Sequence, residues 1–536
     1  MTIDRTPSRQ LGWTPSEDIN RLVMRILVRA EKLDQPTAAA TFVQVNRVVD
    51  ALSTQDHQIV YGRRGAGKTH AFVFLAAELE PQDLPIYLDL RILGSSNGLY
   101  VDRTGREADR ATQLLIDVVE SIHGALLARA INESRFEALL PYIDAIGAAA
   151  TDIRVEGSVS VDTELGSEVT SEESQDSGAS LTVGKETQAS FSLRRARGGT
   201  KKRNSAVHVQ RSGTEVPRII FGRLNRAMAD AARAVAPARI WIFLDEWSSV
   251  PIELQPYLAD MLRRALFPIP EITIKIGAVE RRTNLLVRSS AGNDYLGIEP
   301  GADTAATISL DETLVDDEHR GSFFAELLYR HLVALTKSSN TNLSLESVDD
   351  FVDTFFQPGA LDEFVRAAEG VPRDAINIAF LAAQSAGGRR VSTEDVQAAA
   401  RKFYLTDKER ALIGNQPAQE LWATIQRDVI GRRRARAFLV KRSLDRPDVR
   451  IADLFDARLI HLQVSGIADI VDPGVRYDGY CLDYGAYVTL LLEDELAEVW
   501  SVRGRPWTPQ AQDQLLTVQT IKDALLALEQ TETAEH

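Results

Sequence analysis

Residues 62–70, GRRGAGKTH, have the types and spacing of a loop that binds phosphate groups, and they match G-x-x-x-x-G-K-[ST] at every fixed position. Glycines let the backbone curl so that successive N–H groups point at a phosphate, lysine reaches the β- and γ-phosphates, and the following hydroxyl can ligate Mg²⁺. The strand and helix patterns that flank the motif disfavour the alternative, a chance glycine-rich turn. We therefore predict a site for ATP and Mg²⁺, and its candidate nucleotide-binding residues are Gly62, Arg63, Arg64, Gly65, Ala66, Gly67, Lys68, Thr69 and His70.

A second acidic motif lies at residues 240–246, where an apolar run ends in two carboxylates. A phosphate loop works with a carboxylate on a neighbouring strand that helps to hold magnesium, and we assign this role to Asp245 together with Thr69. Glu246 is one residue further along and is the candidate catalytic base, because it can accept a proton from an attacking water. The alternative is an ordinary acidic junction between a strand and a loop. Beside a phosphate loop, the pair favours ATP hydrolysis.

Five short apolar runs indicate the strands that position these motifs, at residues 58–61, 85–90, 239–244, 272–279 and 306–310. Helical patterns separate them, and this alternation predicts an α/β fold with a parallel sheet. Ahead of the sheet, apolar residues at helical spacing predict a helix over 17–33, within an N-terminal extension that we assign to residues 1–40.

The nucleotide-binding core, residues 41–311, is interrupted at about 155–216 by a segment rich in serine, glycine, threonine and glutamate. This insertion is compatible with short hairpin strands and equally with disorder. Helical patterns over 312–404 predict an all-helical domain. The remaining residues, 405–536, have a mixed pattern, with strands expected at 437–440 and 480–492 and a last helix after Thr508-Pro509.

Composition limits the classes of function that are open to the chain. Its 536 residues have a net charge of −15, so any contact with DNA must be local. The single cysteine, Cys481, excludes an internal disulfide, and with eight scattered histidines it supplies no cluster of zinc ligands. The chain has no signal-peptide pattern and no apolar run of about 18 residues, the minimum for a spanning helix. We expect a cytoplasmic protein that is not inserted in a membrane.

These motifs resemble those of AAA+ ATPases, and they are most similar to the origin recognition complex (initiator) clade and its bacterial relatives. The resemblance rests on the acidic pair, on the strand at 273–279 followed by a polar residue, and on the sequence GVPR at 370–373. It covers residues 40–405. The chain departs from the family at Glu280, where a neutral polar side chain is usual.

The resemblance implies a five-stranded AAA+ core, an all-helical lid domain over 312–404 and a winged-helix-like α+β domain over 405–536. It also implies that Arg373 acts on the γ-phosphate, and Pro372 at a first helical position would place this arginine in the first turn. The alternative for Arg373 is a surface arginine after a turn. A homo-oligomer, or a partner protein that carries an effector activity, is expected. The candidates for an arginine that completes a neighbouring subunit's site are Arg281, Arg282 and Arg288.

The densest basic cluster lies ahead of a strand pattern in the last domain and consists of Arg432, Arg433, Arg434 and Arg436. Arginines in a winged-helix-like domain could contact DNA phosphates, which would give an affinity that falls with salt. The alternative is a solvated charged surface.

The sequence therefore predicts an ATP-hydrolysing, initiator-like AAA+ protein that couples its nucleotide state to DNA binding or remodelling. The alternative is a nucleotide-controlled signalling switch, as in bacterial defence, which gates a partner protein without binding DNA.

Overall fold

The computed structural model describes residues 15–45, 47–80, 82–92, 107–150, 153–156, 159–164, 189–191, 206–211, 214–217, 219–288, 294–305, 307–313, 317–339, 345–432, 436–442, 448–469, 472 and 474–492. The strands are β1 (Gln58–Tyr61), β2 (Leu84–Asp89), β3 (Ile153–Glu156), β4 (Val159–Glu164), β5 (Ala189–Phe191), β6 (Ala206–Arg211), β7 (Thr214–Pro217), β8 (Ile240–Asp245), β9 (Ile272–Ala278), β10 (Leu286–Arg288), β11 (Tyr295–Gly297), β12 (Ile308–Ser309), β13 (Ala437–Lys441), β14 (Ile460–Ala468) and β15 (Arg476–Leu482).

The helices are α1 (Pro15–Val23), α2 (Gln35–Thr41), α3 (Val48–Leu52), α4 (Lys68–Leu79), α5 (Glu107–Asn132), α6 (Leu140–Ala150), α7 (Phe221–Ala234), α8 (Gln255–Met261), α9 (Leu310–Thr313), α10 (Asp317–Ser339), α11 (Val348–Phe355), α12 (Ala360–Ala368), α13 (Pro372–Ala386), α14 (Thr393–Phe403), α15 (Gln416–Ile425), α16 (Val449–Asp456) and α17 (Tyr484–Leu492). Within the described part of the chain, no helix is both long enough and apolar enough to cross a membrane.

The central sheet has the strand order β12-β1-β9-β8-β2, and every neighbouring pair is parallel. The predicted parallel sheet is therefore confirmed. Every residue of β8 and β9 is buried, as expected of parallel strands that helices cover on both faces. One face packs on α5, α6, α7 and α8, and the other packs on α3 and α4. Parallel strands end at the same edge, so the ends of β1, β2 and β8 lie together there.

The insertion contains antiparallel strand pairs, β3 with β7 and β6 with both β4 and β5. In this part of the insertion, the structure therefore has short antiparallel strands, as one of the two sequence-based alternatives predicted, and not disorder. Its other residues, including most of 165–205, lie outside the described residues.

The N-terminal helix is shorter than predicted, because α1 ends at Val23 and a short 3-10 turn follows at Ala30–Lys32. Tertiary packing overrides helical propensity here. α1 packs against the helices of the predicted lid, α10 to α14, and Asn20 donates to the backbone oxygens of Gly387 and Arg389. The chain then turns towards the carboxyl edge of the sheet.

The C-terminal region is an α+β unit with an antiparallel sheet in the order β13-β15-β14. The strand predicted over 480–492 is wrong beyond Leu482, where β15 ends and α17 begins, with Asp483 accepting from the Ala486 N–H at 3.2 Å. Helix α17 is apolar on two sides, because Tyr484 packs into the lid and Tyr487 packs into the C-terminal core. It therefore lacks the one-sided pattern of a surface helix. The helix predicted after Thr508-Pro509 lies outside the described residues.

Asp395 holds the start of α14 in place through a reciprocal cap with Ser392. Its carboxylate also accepts from Ser385 and Arg389, each at 2.7 Å. Burial opposes ionisation, but the bonds from Arg389, Ser392 and Ser385 outweigh it and lower the pKa of Asp395 from 3.8 to about 2. The ionised carboxylate therefore stabilises the fold above pH 3.8, and this contribution is lost as the pH falls towards about 2.

We expect Asp395→Asn to destabilise the lid by about 1–2 kcal/mol at neutral pH, because it removes an ionised acceptor from the cap. Hydrogen exchange of α13 and α14 peptides measures this loss. The difference from wild type should shrink as the pH falls below 3.8. Asp353→Asn, at an exposed carboxylate of α11, is the matched control. A difference that stays constant with pH would contradict the assignment.

Candidate functional site

The phosphate-loop motif connects β1 to α4 at the carboxyl edge of the central sheet. Gly65 and Gly67 have φ values of 90° and 100°, in the left-handed region that side chains disfavour. The Gly62 N–H donates to the Ala278 oxygen at 3.2 Å, which ties the loop to β9. α4 begins at Lys68, so its first turn presents unpaired N–H groups and the positive end of the helix dipole. This arrangement can bind an anion.

Lys68 is buried with its ammonium group inside the loop. Its Nζ donates to the Gly62 oxygen at 2.5 Å and to the Arg63 oxygen at 3.2 Å. Burial lowers the pKa of Lys68, while the nearby carboxylates of Asp245 and Glu246 oppose that shift. A phosphate group in the loop would give this buried cation an anionic partner.

Asp245 is fully buried at the end of β8, and three donors hold its carboxylate. The Thr69 hydroxyl donates to Oδ2 at 2.6 Å, the Tyr87 hydroxyl donates to the same oxygen at 2.7 Å, and the Glu246 N–H donates to Oδ1 at 2.8 Å. Burial, followed by the charge of Asp245, raises the pKa of Tyr87. A hydroxyl and a carboxylate side by side are the hard oxygen ligands that Mg²⁺ prefers, so Thr69 and Asp245 fit the predicted metal role.

Glu246 has a left-handed backbone, with φ at 56°, and its side chain is 22% exposed. A carboxylate oxygen lies 3.9 Å from an Arg91 nitrogen. Arg91 also pairs with Asp89 at 2.6 Å and with Glu31 at 3.4 Å. The hydrogen bond with Asp89 is the largest cause of a raised pKa of Arg91, so this cation stays charged beside the candidate base.

Sequence reasoning did not find Tyr87, Arg91 or Glu31. The first two were detectable in principle, because they lie on or just after the strand beside β8, whose carboxyl end must meet the phosphate loop. No local pattern marks Glu31, which reaches the site only because the chain turns after α1.

Arg373 lies in the first turn of α13, directly against the phosphate loop. Pro372 occupies the predicted first helical position. The Arg373 N–H donates to the Gly65 oxygen at 3.3 Å, and a Cβ on Gly65 would lie only 2.7 Å from the Arg373 Cβ. Gly65 is therefore required both for its backbone angle and for this close approach.

Within the described ranges, the guanidinium of Arg373 has no hydrogen-bond or ion-pair partner. Burial, followed by the charge of Arg458, lowers the pKa of Arg373, while Glu31 and Glu246 act in the opposite direction. An arginine in such a position is suited to an anion from outside the chain.

Two groups of predicted residues need correction. The side chain of His70 turns away from the loop, with its Nε2 at 2.7 Å from the Ala38 oxygen, so only its backbone remains available for nucleotide binding. Arg281 bonds to Tyr480, and Arg282 bonds to Asp456. The 3-10 turn after β9 therefore packs on the C-terminal domain of the same chain, and these two arginines are used for contacts within the chain. Arg288 is 64% exposed and pairs with Glu299. Its role in a neighbouring subunit's site stays a prediction.

The prediction of a DNA contact is wrong for Arg436. Its side chain is buried, pairs with Glu369 and donates to the Leu482 oxygen at 3.0 Å, so it faces the interior. Arg433 and Arg434 lie outside the described residues. Arg432 ends a π-helix at Gln426–Arg432, and only its backbone is described.

No protein-family model and no curated protein matches the chain. The solved structures that align with it include the Drosophila ORC bound to DNA and the Aeropyrum pernix ORC1 protein in complex with DNA. The first has 10% sequence identity and a TM-score of 0.32, covering 91% of this chain and 95% of that chain. The second has 12% identity and a TM-score of 0.28, covering 93% and 95%. TM-scores this low do not establish a shared fold.

We expect Arg373→Ala to lower kcat for ATP by about a hundredfold and to leave nucleotide bound, because it removes a cation that acts on developing phosphate charge. Steady-state kinetics with a parallel binding assay separates the two effects. Lys402→Ala, at an exposed lid cation, is the control. Equal turnover in wild type and Arg373→Ala would show that this arginine is structural.

Proposed function

We propose that the chain is a magnesium-dependent ATPase of the AAA+ initiator-like kind. One observation supports this above all others: two buried or half-buried cations, Lys68 and Arg373, meet the paired Thr69 and Asp245 and the candidate base Glu246 around one glycine loop. The cations can balance a triphosphate, the hydroxyl and carboxylate can hold its metal, and the Glu246 carboxylate can accept a proton.

In this proposal the residues of the chain divide the work of hydrolysis. The loop N–H groups and Lys68 bind and orient the β- and γ-phosphates, and Arg373 approaches from the lid. Thr69 and Asp245 would hold Mg²⁺, which would neutralise phosphate charge. Glu246 accepts a proton from the attacking water at its carboxylate. The Arg91 guanidinium also attracts the Glu246 carboxylate. A shorter distance between the two would therefore make this carboxylate a weaker proton acceptor.

We expect Lys68→Ala to abolish ATP binding, because Lys68 contacts phosphate in this proposal. Glu246→Gln should retain binding and lose turnover, because Glu246 acts on the attacking water and does not contact phosphate. Titration with a fluorescent ATP analogue and a phosphate-release assay measure the two properties. Glu253→Gln, at a half-buried carboxylate paired with Arg110, is a matched control for Glu246→Gln. Unchanged ATP affinity in Lys68→Ala would exclude the phosphate-loop assignment.

For the output of the ATPase, we propose DNA binding through the C-terminal domain. Its order of helix, strand, helix and β-hairpin, from α15 to β15, supports a winged-helix-like unit. Helix α16 is an unsuitable DNA contact, because Asp453 and Asp456 on it pair with Arg282 of the core. We therefore assign the contact to the basic segment 432–434 beside β13.

Replacing Arg432, Arg433 and Arg434 by alanine should weaken duplex DNA binding and lower the slope of log affinity against log salt by about 2–3 units. Each lost phosphate contact removes counterion release, and the chain's charge of −15 leaves few other ways to attract DNA. Arg21, Arg29 and Arg233, which are 51–62% exposed, form a control set with the same change in charge. Equal salt slopes in the two triple variants would contradict the assignment.

The second candidate function is a switch that gates a partner protein without DNA. The docking of the C-terminal domain on the core through Arg281 and Arg282 favours it, because release of this domain after nucleotide is hydrolysed or lost would uncover a surface. A wild type that hydrolyses ATP and binds no duplex at low salt would favour this function over the first.

A further inference from the structure

Arg63, the second residue of the phosphate loop, sends its side chain into the junction between the core, the lid and the C-terminal domain. The side chain is 6% exposed. One Nη donates to Nδ1 of His461 on β14, and the other donates to the Glu369 oxygen at 2.6 Å. Asp311, which follows β12, accepts from the Arg63 N–H at 2.8 Å and lies 3.2 Å from its Nε. A single loop residue therefore contacts all three parts of the chain.

His461 is held from both sides of its ring. Because the Arg63 guanidinium can only donate, Nδ1 of His461 accepts, and Nε2 carries the proton and faces Asp483 at 3.3 Å. Burial lowers the pKa of His461 to about 3, so the ring remains neutral in this arrangement. The ring thus connects a cation of the phosphate loop to an anion of the C-terminal domain.

Buried ion pairs also connect Asp483 to the predicted lid. Lys408 pairs with Asp483 at 2.5 Å and with Asp374 at 2.9 Å, and Asp374 is the residue after Arg373 in α13. Arg458 of the C-terminal domain also pairs with Asp374. The C-terminal domain therefore contacts both the phosphate loop and the helix that carries Arg373.

Displacing the C-terminal domain would separate Lys408 and Arg458 from Asp374 and would remove His461 from Arg63. The backbone oxygen of Arg63 is also an acceptor for Lys68, at 3.2 Å, so the same residue contacts the phosphate-binding ammonium and His461. A loop that is fixed from behind by its side chain keeps its N–H groups oriented for phosphate, and binding then costs less ordering.

We propose that Arg63 and His461 are positioning residues through which the C-terminal domain shapes the nucleotide site, so that docking of this domain and ATP binding strengthen each other. This inference rests on the proposed ATP site. Thermodynamic linkage requires the effect to be reciprocal: if docking increases ATP affinity, ATP stabilises docking by the same factor.

A double-mutant cycle tests the proposal in the full-length chain. Arg63→Met keeps a long side chain, His461→Phe keeps a planar ring, and both remove the contact, so each should weaken binding of a fluorescent ATP analogue about tenfold. The double variant should be no more than about twofold weaker than either single variant, whereas independent sites would give about a hundredfold. His461→Asn, which offers an acceptor near the position of Nδ1, should restore most of the affinity.

Hydrogen exchange tests the reciprocal effect. ATP should slow exchange of β14 peptides in wild type and leave exchange unchanged in His461→Phe. Tyr477→Phe, which removes a 2.8 Å bond to Asp469 elsewhere in the C-terminal domain, should behave as wild type in both assays. Circular dichroism confirms that each variant is folded.

The possible failures are distinguishable. A wild type that binds no ATP overturns the proposed function and this inference together. A wild type that binds ATP, with additive effects in the cycle or with β14 exchange that does not respond to ATP, overturns the inference alone.

Discussion

Charged side chains that are buried where the sheet, the lid and the C-terminal domain meet must be paired, because an isolated charge in a protein interior is far less stable than in water. Three cations lie at this junction. Arg436 pairs with Glu369, and Lys408 pairs with Asp374 and Asp483. Arg63 donates to the backbone oxygen of Glu369. Several of these contacts join residues from different parts of the chain. These contacts connect the three parts of the chain, and the proposed nucleotide site lies beside the junction that they form.

The proposed nucleotide site has the opposite electrostatic arrangement. Lys68 is near carboxylates that only partly offset its burial, and Arg373 has no anionic partner among the described residues. Neighbouring buried cations repel each other in a low-dielectric interior, which makes such a site favourable for a polyanion. Charged groups are thus paired behind the phosphate loop, whereas Arg373 in front of it has no paired carboxylate among the described residues.

Packing continuity between the parts depends on elements that are apolar on more than one side. α17 lies between the lid and the C-terminal core, and α1 packs on the lid although it precedes the core in the sequence. Gly65 has a comparable role on a smaller scale, because any side chain there would separate α13 from the loop. The first turn of α13 therefore contacts the phosphate loop directly, and the C-terminal domain contacts both.

Local patterns in the sequence determined the parallel sheet, the phosphate-loop motif, the acidic pair after β8 and the proline-led start of α13. Each depends on neighbours within a few residues: apolar runs, glycines with positive φ, a carboxylate at a strand end and a helix start. Only tertiary structure decided that Arg436 is buried, that Arg281 and Arg282 bond to the C-terminal domain, that Arg91 and Tyr87 join the site, and that residues 484–492 form a helix. These outcomes depend on partners far away in the chain, and a basic side chain looks the same in sequence whether its counter-charge is a phosphate or a buried carboxylate.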